Sequence, residues 1–223
     1  MIMATSKPKA AVSWSGGKDS YLAFRRARAD FDIQTLLTIF TDDGSRSRSH
    51  GLRPEIVSRQ AELLGLPVQC GRASWKNYEL EFKRLLHCLA AHEYSHVIFG
   101  DIFLDEHKAW VERVSTECGV TAVEPLWGCS TTILFHEFLD MGAKAQIVAA
   151  NAALLDRGWL GQVLDAHMLP ILESLGVDAC GEHGEYHTIL TDAQEMRCKL
   201  ELRDVGHLKH DGYWLLDLVV NYP

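Results

Sequence analysis

The feature that most constrains this chain is an alternation of short apolar runs with helical stripes over its first 125 residues. Residues 10–14 form an apolar run that stops at a glycine turn, and residues 19–29 follow as a helix. Residues 34–41, rich in Leu, Ile and Thr, read as a buried strand. Pro54 fits the first turn of a helix whose Val57, Ala61 and Leu64 share a face and which ends near Gly65. Residues 67–70 form a short strand. Phe82, Leu85, Leu86 and Leu89 fall at i, i+3, i+4 and i+7, one buried helical stripe. Residues 96–99 are the next strand, Trp110, Val114 and Cys118 mark the next helix, and residues 122–125 close the series. Strands and helices alternating at this spacing predict a Rossmann-like α/β fold, a parallel sheet with helices on both faces. Ligands of such sheets bind beyond the carboxyl ends of the strands. The loops at residues 13–20, 41–51, 72–77 and 100–105 are therefore where chemistry is expected.

The pattern changes near residue 127. Leu134, Phe138 and Met141 mark a helix, residues 146–150 a strand, and residues 159–175 a further helix that Pro170 must kink or break. Met196, Cys198, Leu200 and Leu202 alternate with polar residues, and residues 213–220 form a second apolar run behind the turn signal Asp211-Gly212. These predict a half-exposed antiparallel pair. The chain thus divides into residues 1–126 and a smaller α+β domain at residues 127–223.

Charge divides the same way. Residues 1–126 carry 16 Lys/Arg against 16 Asp/Glu, and residues 127–223 carry 6 against 14, so the whole net charge of −8 lies in the second part. A nucleic-acid binder shows a basic face. Here the bulk field opposes polyanions, and Arg46, Arg48, Arg53 and Arg59 form the only basic cluster. Nucleic acid is therefore not an expected partner. Cysteines stand at 70, 88, 118, 129, 180 and 198 without a CxxC pair, which excludes a zinc ribbon and a redox pair. They read as small core residues. No apolar run reaches the ~18–20 residues of a membrane span. Residues 1–9 lack the apolar stretch of a signal peptide, and free thiols fit a reducing cytoplasm.

Ser15, Gly16, Gly17, Lys18, Asp19 and Ser20 join the first strand to the first helix. The glycines let backbone N–H groups approach an anion, and the helix N-terminus adds donors and a positive dipole end. Ser15 and Ser20 add hydroxyls and Lys18 a compact charge. The bland reading is a Ser/Gly turn that starts a helix. A Walker A loop is excluded, because it needs Gly at Val12 and Ser or Thr at Asp19. Asp19 faces phosphate poorly unless a metal sits between them.

A second cluster, Gly181-Glu182-His183-Gly184-Glu185-Tyr186-His187-Thr188, puts two carboxylates and two imidazoles into eight residues. His183 and His187 have helical metal-ligand spacing, but Gly184 lies between them and the segment reads as a loop. On its own it is equally a solvated polar turn.

The first motif resembles the SGGxDS loop of the PP-loop ATP pyrophosphatases. The second resembles the GExGE(F/Y)HT signature of the diphthamide synthetase, or diphthine–ammonia ligase, family. The likeness extends to Ser49-His50-Gly51, residues 60–67, the Gly100 loop, Pro125-Leu126-Trp127 and Trp159-Leu160-Gly161. One departure is His183, where the family is expected to carry Asn. The resemblance implies a Rossmann-like (HUP-type) ATP-binding domain and a substrate-binding C-terminal domain. It implies a cytoplasmic enzyme that uses ATP and ammonia to amidate a carboxylate through an acyl-adenylate, releasing AMP and pyrophosphate. Diphthine on elongation factor 2 is the implied substrate, and a homodimer is left open. Implied nucleotide contacts are Ser15, Gly16, Gly17, Lys18, Asp19, Ser20, His50, Gly100 and Asp101. Mg²⁺ would bridge the phosphates through Asp19. Lys18, Asp19, Glu182, Glu185 and His187 take the catalytic roles. Trp127, Trp159 and Tyr186 would offer aromatic faces to a trimethylammonium group.

Two other readings stay open: a tRNA-modifying PP-loop enzyme, which the acidic second part disfavours, and a non-catalytic adenine-nucleotide-binding protein. Asp42-Asp43-Gly44 reads as a turn that would otherwise hold Mg²⁺ or ribose. Trp110 reads as core.

Overall fold

The computed structural model describes residues 6–222. The first part runs β1 (Lys9–Ser13), α1 (Lys18–Ala27), β2 (Asp32–Phe40), α2 (Pro54–Leu64), β3 (Val68–Arg72), α3 (Tyr78–Ala91), β4 (His96–Ile98), α4 (Asp105–Glu117) and β5 (Thr121–Val123). Its five strands are parallel in the order β3-β2-β1-β4-β5. The sheet is buried on both faces by the two-residue alternation of its strands. Ala10, Val12 and Leu36 face Leu22, Phe24 and Ile56 in one cluster, while Ala11, Leu37 and Val97 face Leu86, Leu89 and Val111 in the other. Pro54 opens α2, and Gly65 closes it in the left-handed conformation at φ 70°.

The second part runs α5 (Thr131–Asp140), β6 (Lys144–Asn151), α6 (Met168–Ser174), β7 (Tyr186–Asp192), β8 (Leu202–His210) and β9 (Tyr213–Val220). Its strands are antiparallel in the order β7-β6-β9-β8. The first of the two clusters continues into Phe135, Ile147 and Ile189, so the two sheets share one core.

Four expectations need correction. Residues 159–175 are not one helix. A 3-10 turn at Arg157–Trp159 is followed by Gly161 at φ 81°, and only Met168–Ser174 is helical. Pro170 sits in the first turn of α6, where the missing N–H has no helical acceptor to lose. The alternation at 196–202 belongs to a loop that buries Met196 and Leu200, and β8 begins at Leu202, where the expected strand would end. The cluster at 181–188 is a loop only in its first half, because β7 starts at Tyr186. Only Cys118 and Cys180 are buried, while Cys70 and Cys198 are exposed. Among the described residues no helix is long and apolar enough to cross a membrane. The reading of residues 1–9 falls in part outside the described residues.

Candidate active site

The loop between β1 and α1 turns at Gly16, φ 85°, and Gly17, which has no side chain to cap with, stands at the helix N-cap. A side chain has no room there. A Cβ on Gly16 would meet Gln60 Oε1 at 2.7 Å, and one on Gly17 would meet His50 Cε1 at 2.5 Å and Thr188 O at 3.0 Å. Ser15 Oγ donates to Ser20 Oγ at 3.1 Å and accepts from Gly17 N–H at 3.3 Å. Beyond this loop opens a cavity of about 470 Å³ at the carboxyl edge of the parallel sheet. Ser15, Lys18, Asp19, Ser20, His50, Gly100, Asp101, Glu182 and His187 all line it.

The second part of the chain completes the loop. The outer edge of β7 lies against it: Leu190 N–H donates to Gly16 O at 2.8 Å, and Lys18 N–H donates to Thr188 Oγ1 at 3.1 Å. Gln60 is fully buried and ties both together, donating to Gly16 O at 2.9 Å and Leu190 O at 2.8 Å. The 41–53 loop is held by β9. Asp217 accepts from Arg53 Nε at 2.9 Å, Arg53 Nη2 at 2.8 Å and Arg46 Nη1 at 2.7 Å. That loop delivers His50, whose Nδ1 lies 2.8 Å from Thr188 O and whose ring stacks on His187 at 4.7 Å.

The electrostatics divide the cavity. Lys18 is buried beneath the loop. Its Nζ donates to Asp19 Oδ2 at 2.9 Å and to Cys180 O, and lies 5.0 Å from the Tyr186 ring centre. Burial pulls its ammonium down, but Asp19, Tyr186 and Cys180 together outweigh that and hold it well above its ordinary value. Burial pushes the Glu182 carboxyl up to about 7, against one N–H bond from Ile102 at 2.8 Å and with support from Asp19 and Asp101. Burial also lowers His187 to about 4 and holds His50 well below its ordinary value, so both imidazoles are neutral at pH 7. Five aromatic side chains, Trp75, Tyr78, Phe82, Phe99 and Trp110, form part of the remaining wall.

With this geometry in hand, two family models cover most of the chain. The diphthamide synthase N-terminal domain matches residues 8–122, and the diphthamide synthase C-terminal domain matches residues 130–220. The chain belongs to the diphthamide synthase family. The human diphthine–ammonia ligase is 29% identical over 105 residues, 45% of this chain and 39% of the human protein. The rat diphthine–ammonia ligase is 25% identical over 212 residues, 83% of this chain and 79% of the rat protein. The match to the human relative thus spans well under half of that protein's length. A solved chain from Methanocaldococcus jannaschii, described as a predicted subunit of tRNA methyltransferase, matches 84% of this chain and 98% of its own. Its identity is 18% and its TM-score 0.45.

In this family member the two motifs converge on one cavity, but not every expected residue faces it. Glu185 is turned inward. It accepts from Asp178 N–H at 3.2 Å and His183 N–H at 2.9 Å, so it shapes the loop that presents Glu182 instead of touching a ligand. The aromatic trio does not assemble. Trp127 lies under Lys108 at 4.8 Å, Trp159 packs on the core, and Tyr186 gives its face to Lys18. Asp43 closes a turn, accepting from Thr41 Oγ1 at 2.5 Å and Ser45 N–H at 3.0 Å. Trp110 packs against the second core cluster, as read, and also lines the cavity. Gln60 and Thr188 had no role in the sequence reading. The available signal for Gln60 was a polar residue set on the buried Val57–Ala61 face of α2.

Proposed function

We propose that this chain is an ATP-dependent ligase that activates a carboxylate as an acyl-adenylate and amidates it with ammonia. The observation that carries the reading is the convergence of the phosphate loop, Asp101, Glu182 and His187 on one cavity. The substrate carboxylate attacks the α-phosphorus of ATP, and pyrophosphate leaves. Ammonia then attacks the acyl carbon, AMP departs, and one proton is released. Backbone groups of residues 15–20 and the α1 N-terminus bind the leaving pyrophosphate, an electrostatic and positioning role. Lys18, drawn down to Asp19 and Cys180 O, supports the loop from below. Glu182, with its value near 7, takes a proton from ammonium or the attacking amine. Neutral His187 and His50 stack on each other at the loop–strand junction and form one wall of the cavity.

No group of three or more His, Cys, Asp or Glu among the described residues forms a metal site. Asp19 alone, partly exposed in the cavity, fits one ligand of a nucleotide-borne Mg²⁺. Such an ion would neutralise phosphate charge. The acid is diphthine on elongation factor 2, the reaction cytoplasmic, and residues 127–223 bind the acid. The test is product analysis with ATP, ammonium and diphthine-bearing elongation factor 2. AMP, pyrophosphate and the amide support the reading, whereas ADP and orthophosphate as primary products would sink it.

A further inference from the structure

Three imidazoles line the cavity: His50, His107 and His187. Burial holds His50 and His187 low, so neither takes up a proton near neutral pH. His107 differs. It lies in the first turn of α4, and its side chain is 61% exposed, so it joins the cavity wall to solvent. Its Nδ1 lies 3.3 Å from Asp101 Oδ1. A carboxylate only accepts, so the neutral ring carries its proton on Nδ1 and keeps the Nε2 lone pair free. The hydrogen bond to Asp101 raises His107 above its ordinary value against partial burial, and the charges of Glu182 and Glu106 add to it. The neighbouring cation, Lys108, is committed to Glu112 and Glu124.

The 100–105 loop also sets Glu182 beside this pair. Glu182 Oε1 accepts from the N–H of Ile102, the residue after Asp101, at 2.8 Å, and Phe103 packs edge-on against His183 at 5.1 Å. An inner carboxylate and an outer imidazole are thus placed around Asp101. Amide formation gives them a task. The C–N bond forms, the acyl C–O bond to AMP breaks with its electron pair leaving on AMP, and the nitrogen sheds one proton. Glu182 takes that proton and must lose it before the next turnover. An imidazole near its ordinary titration range passes protons to water readily.

We propose that His107, oriented by Asp101, relays the proton released in amide formation from Glu182 to solvent, directly or through one cavity water. The relay rests on the amide-ligase reading and deepens it. The test is chemical rescue of the full chain at pH 7 in weakly buffering medium, with ATP, ammonium and diphthine-bearing elongation factor 2. His107→Ala should lower kcat for the amide about tenfold or more, with the KM for ATP within about twofold of the parent's. Imidazole added at constant ionic strength should restore that rate in proportion to its concentration and leave the parent unmoved. His107→Asn keeps a donor for Asp101 but cannot titrate, and should be as slow as the alanine variant. Parental kcat in either variant overturns the proposal, and so does a loss that imidazole leaves unrestored. The two readings fail separately. A parent that forms no amide removes the ligase reading and the relay with it, whereas an active parent matched by His107→Ala removes the relay alone.

Discussion

The backbone N–H of Lys18 donates to Thr188 Oγ1 at 3.1 Å across 170 positions of sequence. The phosphate loop is therefore finished by a hydroxyl from the other sheet. Thr188→Val keeps the shape and leaves a buried N–H without a partner, which costs about 1–3 kcal/mol. Denaturant melts should register that loss, and ATP titration calorimetry a weaker Kd. Thr188→Ser should restore both. Full ATP affinity in the valine variant would show that the loop is set without the second sheet.

Gly17→Ala should impair turnover more than it impairs folding. The added methyl would fall 2.5 Å from His50 Cε1, and a shift of about 1 Å in a reactive geometry can cost on the order of 10²-fold in rate. His50→Ala on that background removes the nearest clash and should recover nucleotide binding in part. Equal binding by the single and double variants would place the defect elsewhere.

Asp217 connects stability to pH. Its hydrogen bonds from Arg53, then those from Arg46, hold its carboxyl well below the ordinary range. A carboxyl lower in the folded than in the unfolded chain contributes stability above its unfolded value near 4. That contribution fades as pH falls through the folded value. Asp217→Asn should lower the melting temperature at pH 7 and flatten its decline below about pH 4. It should also raise the KM for ATP, because the His50 loop loses its anchor.

Glu182 runs the opposite way. Burial raises it to about 7, so the folded chain binds this proton more tightly than the unfolded chain does. Stability from this group declines as pH rises from about 4 to 7, and Glu182→Gln should abolish that slope. Amide formation in the parent should rise with pH through about 7. ATP binding should be nearly unchanged in the glutamine variant while amide formation collapses. A rate profile flat from pH 6 to 8 would remove Glu182 from proton transfer.

His187, lowered to about 4, loses stability for the fold as pH drops from about 6.5 towards 4, the window where only the unfolded chain protonates. His187→Gln should remove that part of the acid slope. NMR titration of the parent should find this ring neutral at pH 6, and a charged ring there would contradict the packing described.

Much of this was legible in sequence because local chemistry and global fold agree. The β1–loop–α1 unit carries its own instructions: an apolar run, two glycines and a helix start. The Pro54 start and Gly65 stop of α2 are equally local. What escaped depends on distant partners. Nothing in the spelling of Glu185 separates it from Glu182, since only the folded loop turns Glu185 onto its own N–H groups and leaves Glu182, held by Ile102 N–H, on the cavity wall. The 196–202 stretch alternates like a strand, but Leu200 N–H finds Thr191 O at 2.7 Å and its side chain fills the shared core. β7 was hidden behind a run of glycines and charges that reads as a turn until Tyr186. The aromatic trio failed because each ring found a neighbour of its own.

The closure of the loop by Leu190 and Thr188 also orders events during synthesis. A ribosome releases the SGGKDS loop some 170 positions before the residues that lock Gly16 and Lys18. Strands and helices of the first sheet can assemble as they appear, yet the phosphate site stays unfinished throughout. A newborn chain is thus expected to complete its phosphate loop only when the second sheet is out, and fragments that stop before Thr188 should bind ATP more weakly than the full chain.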